Sequence, residues 1–141
     1  MTQSAPTLVD HIPPTAFAPG DVLCSRFQIV CFLAQGGMGE VYEARDLELG
    51  ETVALKTIRP EIADDPRVLQ RFKREITLAR KVTHPNVCRV FDVFHHTNPA
   101  AAGRSTTFLA MELLRGETLA ARLRRAGPMS TEEALPLVSQ M

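Results

Sequence analysis

The run Ala34-Gln35-Gly36-Gly37-Met38-Gly39-Glu40-Val41 is the first place in the chain where residue types and spacing could do chemistry. Glycines remove the side chains that would hold backbone amides away from a phosphate, so a turn of this kind can cradle one. A glycine-rich hairpin with no ligand fits the same residues. A dinucleotide-binding turn requires a helix directly after its glycines, and the β-forming residues after Gly39 exclude that reading. A second candidate is Lys56, which closes Val53-Ala54-Leu55-Lys56. On a strand of period two, Ala54 and Lys56 share one face, and Val53 and Leu55 share the other. A cation beside a small residue leaves room for a flat ligand; a solvated strand lysine is the plainer alternative. Glu75 is the third, next to apolar Ile76 at the border of a helical face. It could reach a lysine on a sheet below, or remain a surface carboxylate among Arg71, Lys73 and Arg74. A lysine held by a glutamate in this way can grip phosphate oxygens.

Other groups carry weaker signals. His95 and His96 are adjacent on a strand and point to opposite faces, with no acidic or cysteine partner at useful spacing, so no metal site is expected. His84 precedes Pro85 and suits a local bond that holds a helix-to-strand turn. Arg122, Arg124 and Arg125 lie near a helix C-terminus, where cations complement the macrodipole and read as a solvated face. Cys24, Cys31 and Cys88 are odd in number and lack the close pairing of zinc sites. Free thiols are expected, and with them a reducing cytoplasm.

These residues need elements to position them. Residues 1–20 contain Pro6, Pro13, Pro14, Pro19 and Gly20 with little periodicity, and read as a flexible leader. Strands are expected over 27–33, 40–45 and 51–59, with a hairpin turn at 46–50. Asp65 caps a helix that opens at Pro66 and runs to about Val82, with Leu69, Phe72, Ile76, Ala79 and Val82 on one face. His84-Pro85-Asn86 ends it. Residues 87–94 and 107–114 read as two further strands joined by a polar loop at 95–106. A short helix over 118–125 follows, and Ser130 with Glu133 forms a capping box for a last helix interrupted by Pro136. The order implies an α+β fold: a five-stranded antiparallel sheet with one long packed helix, then helices whose apolar face nothing nearby covers.

Sixteen basic residues balance sixteen acidic ones, which argues against nucleic acid or an anionic membrane as a partner. Residues 1–20 have no basic head followed by an apolar stretch, and no apolar run approaches the length of a membrane span. No membrane contact is expected from this segment.

Taken together, Gly36-Gly37-Met38-Gly39-Glu40-Val41-Tyr42, Val53-Ala54-Leu55-Lys56, Phe72-Lys73-Arg74-Glu75, His84-Pro85-Asn86-Val87 and Met111-Glu112-Leu113-Leu114 resemble the N-terminal lobe of the eukaryotic-like (Hanks-type) Ser/Thr protein kinases of bacteria. The resemblance implies an ATP-binding N-lobe over 21–115 and the start of C-lobe helices over 116–141. It also implies roles. Gly36, Gly37 and Gly39 would cover the triphosphate, Lys56 would contact the α- and β-phosphates, and Glu75 would hold Lys56. Leu33, Ala34, Val41 and Ala54 would line the adenine pocket, with Met111 at its back. The carbonyl of Glu112 and the amide of Leu114 would bond the adenine edge, and Cys88 would be a small buried residue nearby. The family's first loop glycine is Ala34 here; were a positive φ needed there, alanine would cost about 1 kcal/mol.

No His-Arg-Asp catalytic loop and no Asp-Phe-Gly segment occur in the 141 residues, and the family keeps its catalytic base and magnesium ligands there. The expectation is therefore the ATP-binding part of a kinase that transfers the ATP γ-phosphate to Ser or Thr of protein substrates. Mg²⁺ would be used by the intact parent, which a segment beyond residue 141 could anchor to a membrane. By itself the chain is expected to be inactive, marginally stable and prone to associate through its last two helices. The alternative is a non-catalytic lobe that acts as a regulatory or protein-binding module, for example through kinase–kinase contact. Kinase-like binding of another phosphorylated small molecule fits the Phe-Lys-Arg-Glu and His-Pro-Asn blocks less well.

Overall fold

A computed structural model describes residues 15–37, 39–99 and 103–141. In chain order the elements are β1 (Val22–Leu23), β2 (Phe27–Gly36), β3 (Gly39–Asp46), β4 (Thr52–Thr57), α1 (Pro60–Ala63), α2 (Pro66–Ala79), β5 (Val90–Asn98), β6 (Arg104–Glu112), α3 (Leu119–Ala126) and α4 (Thr131–Val138). The strands form one antiparallel sheet in the order β1-β2-β3-β4-β6-β5. The five expected strands are β2 to β6. The two-residue β1 joins them at one edge, too short to carry a periodic pattern.

Alternation places β-branched, aromatic and aliphatic side chains on one face of this sheet. Leu23, Phe27, Ile29, Tyr42, Ala44, Val53, Leu55, Phe108 and Ala110 make the core. Phe27 meets Phe94 and Phe108 edge-on, with ring centroids 4.8 and 5.8 Å apart, a geometry the ring quadrupoles favour. The expected flexible leader does not extend to residues 15–20. Phe17 is only 7% exposed and packs into the same core, 5.7 Å from the Tyr42 ring. A lone aromatic among prolines has no periodicity to reveal its burial; residues 1–14 lie outside the described residues.

The 95–106 stretch expected as a loop is largely strand, since Asn98 pairs with Arg104 and His96 with Thr106. Its polar residues reflect a solvated hairpin end and do not mark a break. His95 Nδ1 lies 2.9 Å from Thr107 Oγ1, while His96 Nδ1 accepts from the Cys24 amide at 3.1 Å. Both imidazoles thus serve the sheet. His84 does hold its turn, accepting from the Asn86 amide at 3.1 Å.

Asp65 caps α2 by accepting from the amides of Arg67 and Val68, with Pro66 at the first helical position. The helix closes at Ala79, short of Val82, because the Lys81 and Val82 amides bond three residues back and tighten the last turn. Ile76 is the buried residue of α2, which packs against β5. The Ser130–Glu133 capping box opens α4 as expected. Neither α3 nor α4 buries a residue, and Leu119, Leu123, Leu135, Leu137 and Val138 are exposed. Among the described residues no helix is long and apolar enough to cross a membrane.

One ion pair ties the sheet's turns together. Asp46, 2% exposed, takes a bidentate bond from Arg26, with Nη2 at 2.7 Å, and accepts from the amides of Glu48 and Leu49 to close the β3–β4 turn. The same guanidinium lies over the rings of Phe27 and Phe94. The Arg26 hydrogen bonds, reinforced by those two amides, hold the Asp46 carboxyl below its ordinary value of 3.8. A depressed carboxyl contributes stability that is complete above its unfolded value and is lost as pH falls through its folded one. Asp46→Asn is therefore expected to cost about 2 kcal/mol near neutrality, since it strips a buried pair of its charge. It should also flatten the decline in stability below about pH 4, as urea denaturation at several pH values would measure.

Candidate functional site

Residues directly opposite in an antiparallel pair project to the same side, so the register fixes what shares the second face. Ala34 stands opposite Val41, Val41 opposite Lys56, Lys56 opposite Leu109, and Leu109 opposite Val93. One step along runs Cys31, Glu43, Ala54, Met111 and Val90. These two rows form a shelf of mostly small and aliphatic side chains with one cation, Lys56, and one carboxylate, Glu43, whose Oε1 lies 3.5 Å from Arg115 Nη2. The core lies on the other side. Leu33 falls where the β2–β3 register shifts between Phe32 and Ala34. A bulge of this kind re-aims its extra residue, and Leu33 is exposed.

The glycine turn joins β2 to β3 at the Lys56 end of the shelf, where Gly36 pairs with Gly39. The glycines are not equivalent. A Cβ at Gly36 or Gly37 would meet open space, whereas one at Gly39, φ +152°, would lie 2.0 Å from the carbonyl oxygen of Thr57. Gly39 is thus the position where β3 presses on the end of β4. Two further bonds mount the turn: the Glu40 amide donates to Thr57 Oγ1 at 2.9 Å, and Arg59 Nη2 donates to the Gly36 carbonyl at 3.4 Å. Thr57 and Arg59 were not singled out in the sequence, although their place just after Lys56 was legible. Ala34 is not among the residues with positive φ, so no backbone penalty arises there.

Lys56 is partly buried and joins no ion pair among the described residues. Glu75 is not brought to it. Its side chain is 62% exposed and bonds Arg71 one turn back at 3.0 Å. The segment after β6 leaves Leu114 exposed. The Glu112 carbonyl accepts a weak bond from Cys88 Sγ at 3.7 Å. Burial, with the Glu112 carboxylate close by, pushes the Cys88 thiol up, which keeps it protonated. All three cysteines are free, and among the described residues no cluster of three or more His, Cys, Asp or Glu could hold a metal.

The protein kinase domain profile matches residues 27–141. The chain belongs to the protein kinase domain family. This kinase chain is 36% identical over 121 residues to the Ser/Thr protein kinase PknA of Mycobacterium tuberculosis, covering 86% of the chain and 28% of PknA. It is 32% identical over 129 residues to the kinase pkn3 of Myxococcus xanthus, covering 92% of the chain and 22% of pkn3. The crystal structure of the M. tuberculosis PknI kinase domain superposes with a TM-score of 0.73 at 26% identity. That match covers 89% of this chain and 47% of the PknI chain. The kinase chain therefore spans about a quarter of the length of PknA and pkn3, and its sheet and helices have the fold of a kinase N-lobe with the first C-lobe helices.

The unequal glycines of this kinase loop can be told apart by mutation. Gly39→Ala is expected to cost about 2–3 kcal/mol, because its Cβ would meet backbone and not a yielding side chain. Gly37→Ala should stay within about 0.5 kcal/mol of the parent. Chemical denaturation of the two variants side by side checks the contrast.

Proposed function

We propose that this chain is the ATP-binding part of a Ser/Thr protein kinase. The observation that carries the reading is the pairing of Val41, Lys56 and Leu109 in one row, with Ala54 and Met111 in the next, beside the glycine turn. The fit to ATP is chemical. Adenine needs an apolar, shallow surface, which Leu33, Val41, Ala54 and Met111 offer. The triphosphate needs a cation and amides free of side chains, which Lys56 and the Gly36–Gly39 turn offer. Bound ATP would supply the phosphoryl group. The part of this chain is to orient it: Lys56 on the α- and β-phosphates, and the Glu112 carbonyl and Leu114 amide on the adenine edge.

Glu75 would hold Lys56 only after leaving Arg71. An exposed i,i+4 ion pair is worth about 0.5 kcal/mol or less, so release from Arg71 would itself cost little. The His-Arg-Asp and Asp-Phe-Gly segments do not occur among the 141 residues. The general base, the Mg²⁺ ligands and the groups that recognise protein substrates would come from outside them. Cytoplasmic placement of this segment accords with its free thiols.

A second reading, a non-catalytic lobe that pairs with another kinase, is favoured by α2 itself, where Val68 and Leu78 are exposed and Glu75 faces solvent. Calorimetry with Mg-ATP separates the two. The nucleotide reading expects saturable binding that weakens about tenfold in Lys56→Met, the loss of one charge-assisted contact, with an unchanged melting temperature and no phosphate transfer by the 141 residues alone. Absence of any nucleotide binding would favour the module.

A further inference from the structure

The glycine turn has little beneath it. Behind its core-side edge lies an open cavity of about 380 Å³, walled by Gln35, Gly39 and Glu40, with Thr57 and Ile58 on a second side and Ala16 and Phe17 on a third. The turn's tip, Gly36 and Gly37, offers no packed neighbour to a side chain. Besides its pairing with β2 and β4, β3 is held at this edge by a short chain of hydrogen bonds from the N-terminal segment. The Ala16 amide donates to Glu40 Oε2 at 3.0 Å, the Phe17 amide donates to the Tyr42 hydroxyl at 3.2 Å, and that hydroxyl donates to the same Glu40 carboxylate. Burial, and then the bond to Glu40, push the Tyr42 hydroxyl up to about 12, so it remains a donor throughout the working range of pH. Phe17 anchors the segment, in edge-on contact with Tyr42 and with His96 at 6.4 Å. Glu40 is the residue after Gly39, and its own amide is bonded to Thr57.

We propose that residues 15–17 form a strap that positions the glycine turn through Glu40, so that docking or release of the strap sets nucleotide affinity. Glu40, Tyr42 and Phe17 are then positioning residues: none faces the shelf, and each acts on the turn through the next. The inference rests on the nucleotide reading for its consequence, but the mechanical link stands apart from it.

The test uses the 141-residue chain with Glu40→Ala, Tyr42→Phe and Glu40→Gln. The last keeps an oxygen that can accept from Ala16, and Tyr42→Phe keeps the core filled. Amide hydrogen exchange without nucleotide reads the link. Exchange at Gly36 and Gly39, which pair across the turn, should rise about tenfold in the first two variants, as expected when roughly one hydrogen bond of support is lost. Leu55 and Phe108 should stay protected, and Glu40→Gln should remain near the parent. Unchanged turn amides would overturn the proposal, and so would a rise shared equally by the core, which would mean general destabilisation. With Mg-ATP as probe, the first two variants should bind about 3- to 10-fold more weakly, the same loss expressed as affinity. Faster turn exchange with unaltered affinity would overturn the regulatory claim. A parent chain that binds no nucleotide would remove the nucleotide reading and that claim with it, while the exchange data still decide the mechanical link.

Discussion

Everything at the candidate site depends on the register of β4 between β3 and β6. Because side chains alternate with period two, a slip of one residue would turn Lys56 and Ala54 into the core and bring Leu55 out. The slip is opposed from both sides. Tyr42, Leu55, Ala110 and Phe108 must stay with the aromatic cluster, and Gly39 can lie against Thr57 only in this alignment. The core thus selects the register, and the register assembles the shelf. A cation flanked by alanine, valine and leucine is a by-product of aromatic packing on the reverse face.

Much of this was legible beforehand. The alternation around Lys56 assigned its face, Asp65-Pro66 marked the helix start, and Ser130 with Glu133 marked the last one. Each is a local rule whose cause lies within a few residues. What was not legible depended on partners distant in the chain. Phe17 is buried only because Tyr42 and His96 receive it, and the hairpin of β5 and β6 extends through polar residues because each pairs across. The engagement of Glu75 by Arg71 was equally hidden, since an exposed i,i+4 pair makes only a small difference, about 0.5 kcal/mol or less, to a carboxylate otherwise left in water.

That small difference matters for how such a lobe could work. The sheet is a rigid support with a filled core, tied at the Arg26–Asp46 pair. By contrast α2 touches it mainly through Ile76 and keeps its charged residues in solvent. The glycine turn is likewise mounted by a few hydrogen bonds, with packing at Gly39 and none at its tip, Gly36 and Gly37. Stability and adjustability are thus divided between the two parts, with Lys56 on the rigid one and its expected glutamate on the adjustable one.

The most direct measurement is methyl NMR of the chain titrated with Mg-ATP. The side chains of Ala34, Val41, Ala54, Leu109 and Met111 lie on the shelf, and those of Ile29, Ala44, Val53, Leu55 and Ala110 lie in the core. The account predicts that nucleotide shifts the first set progressively and leaves the second nearly still. Shifts confined to the core face, or spread equally over both, would contradict it.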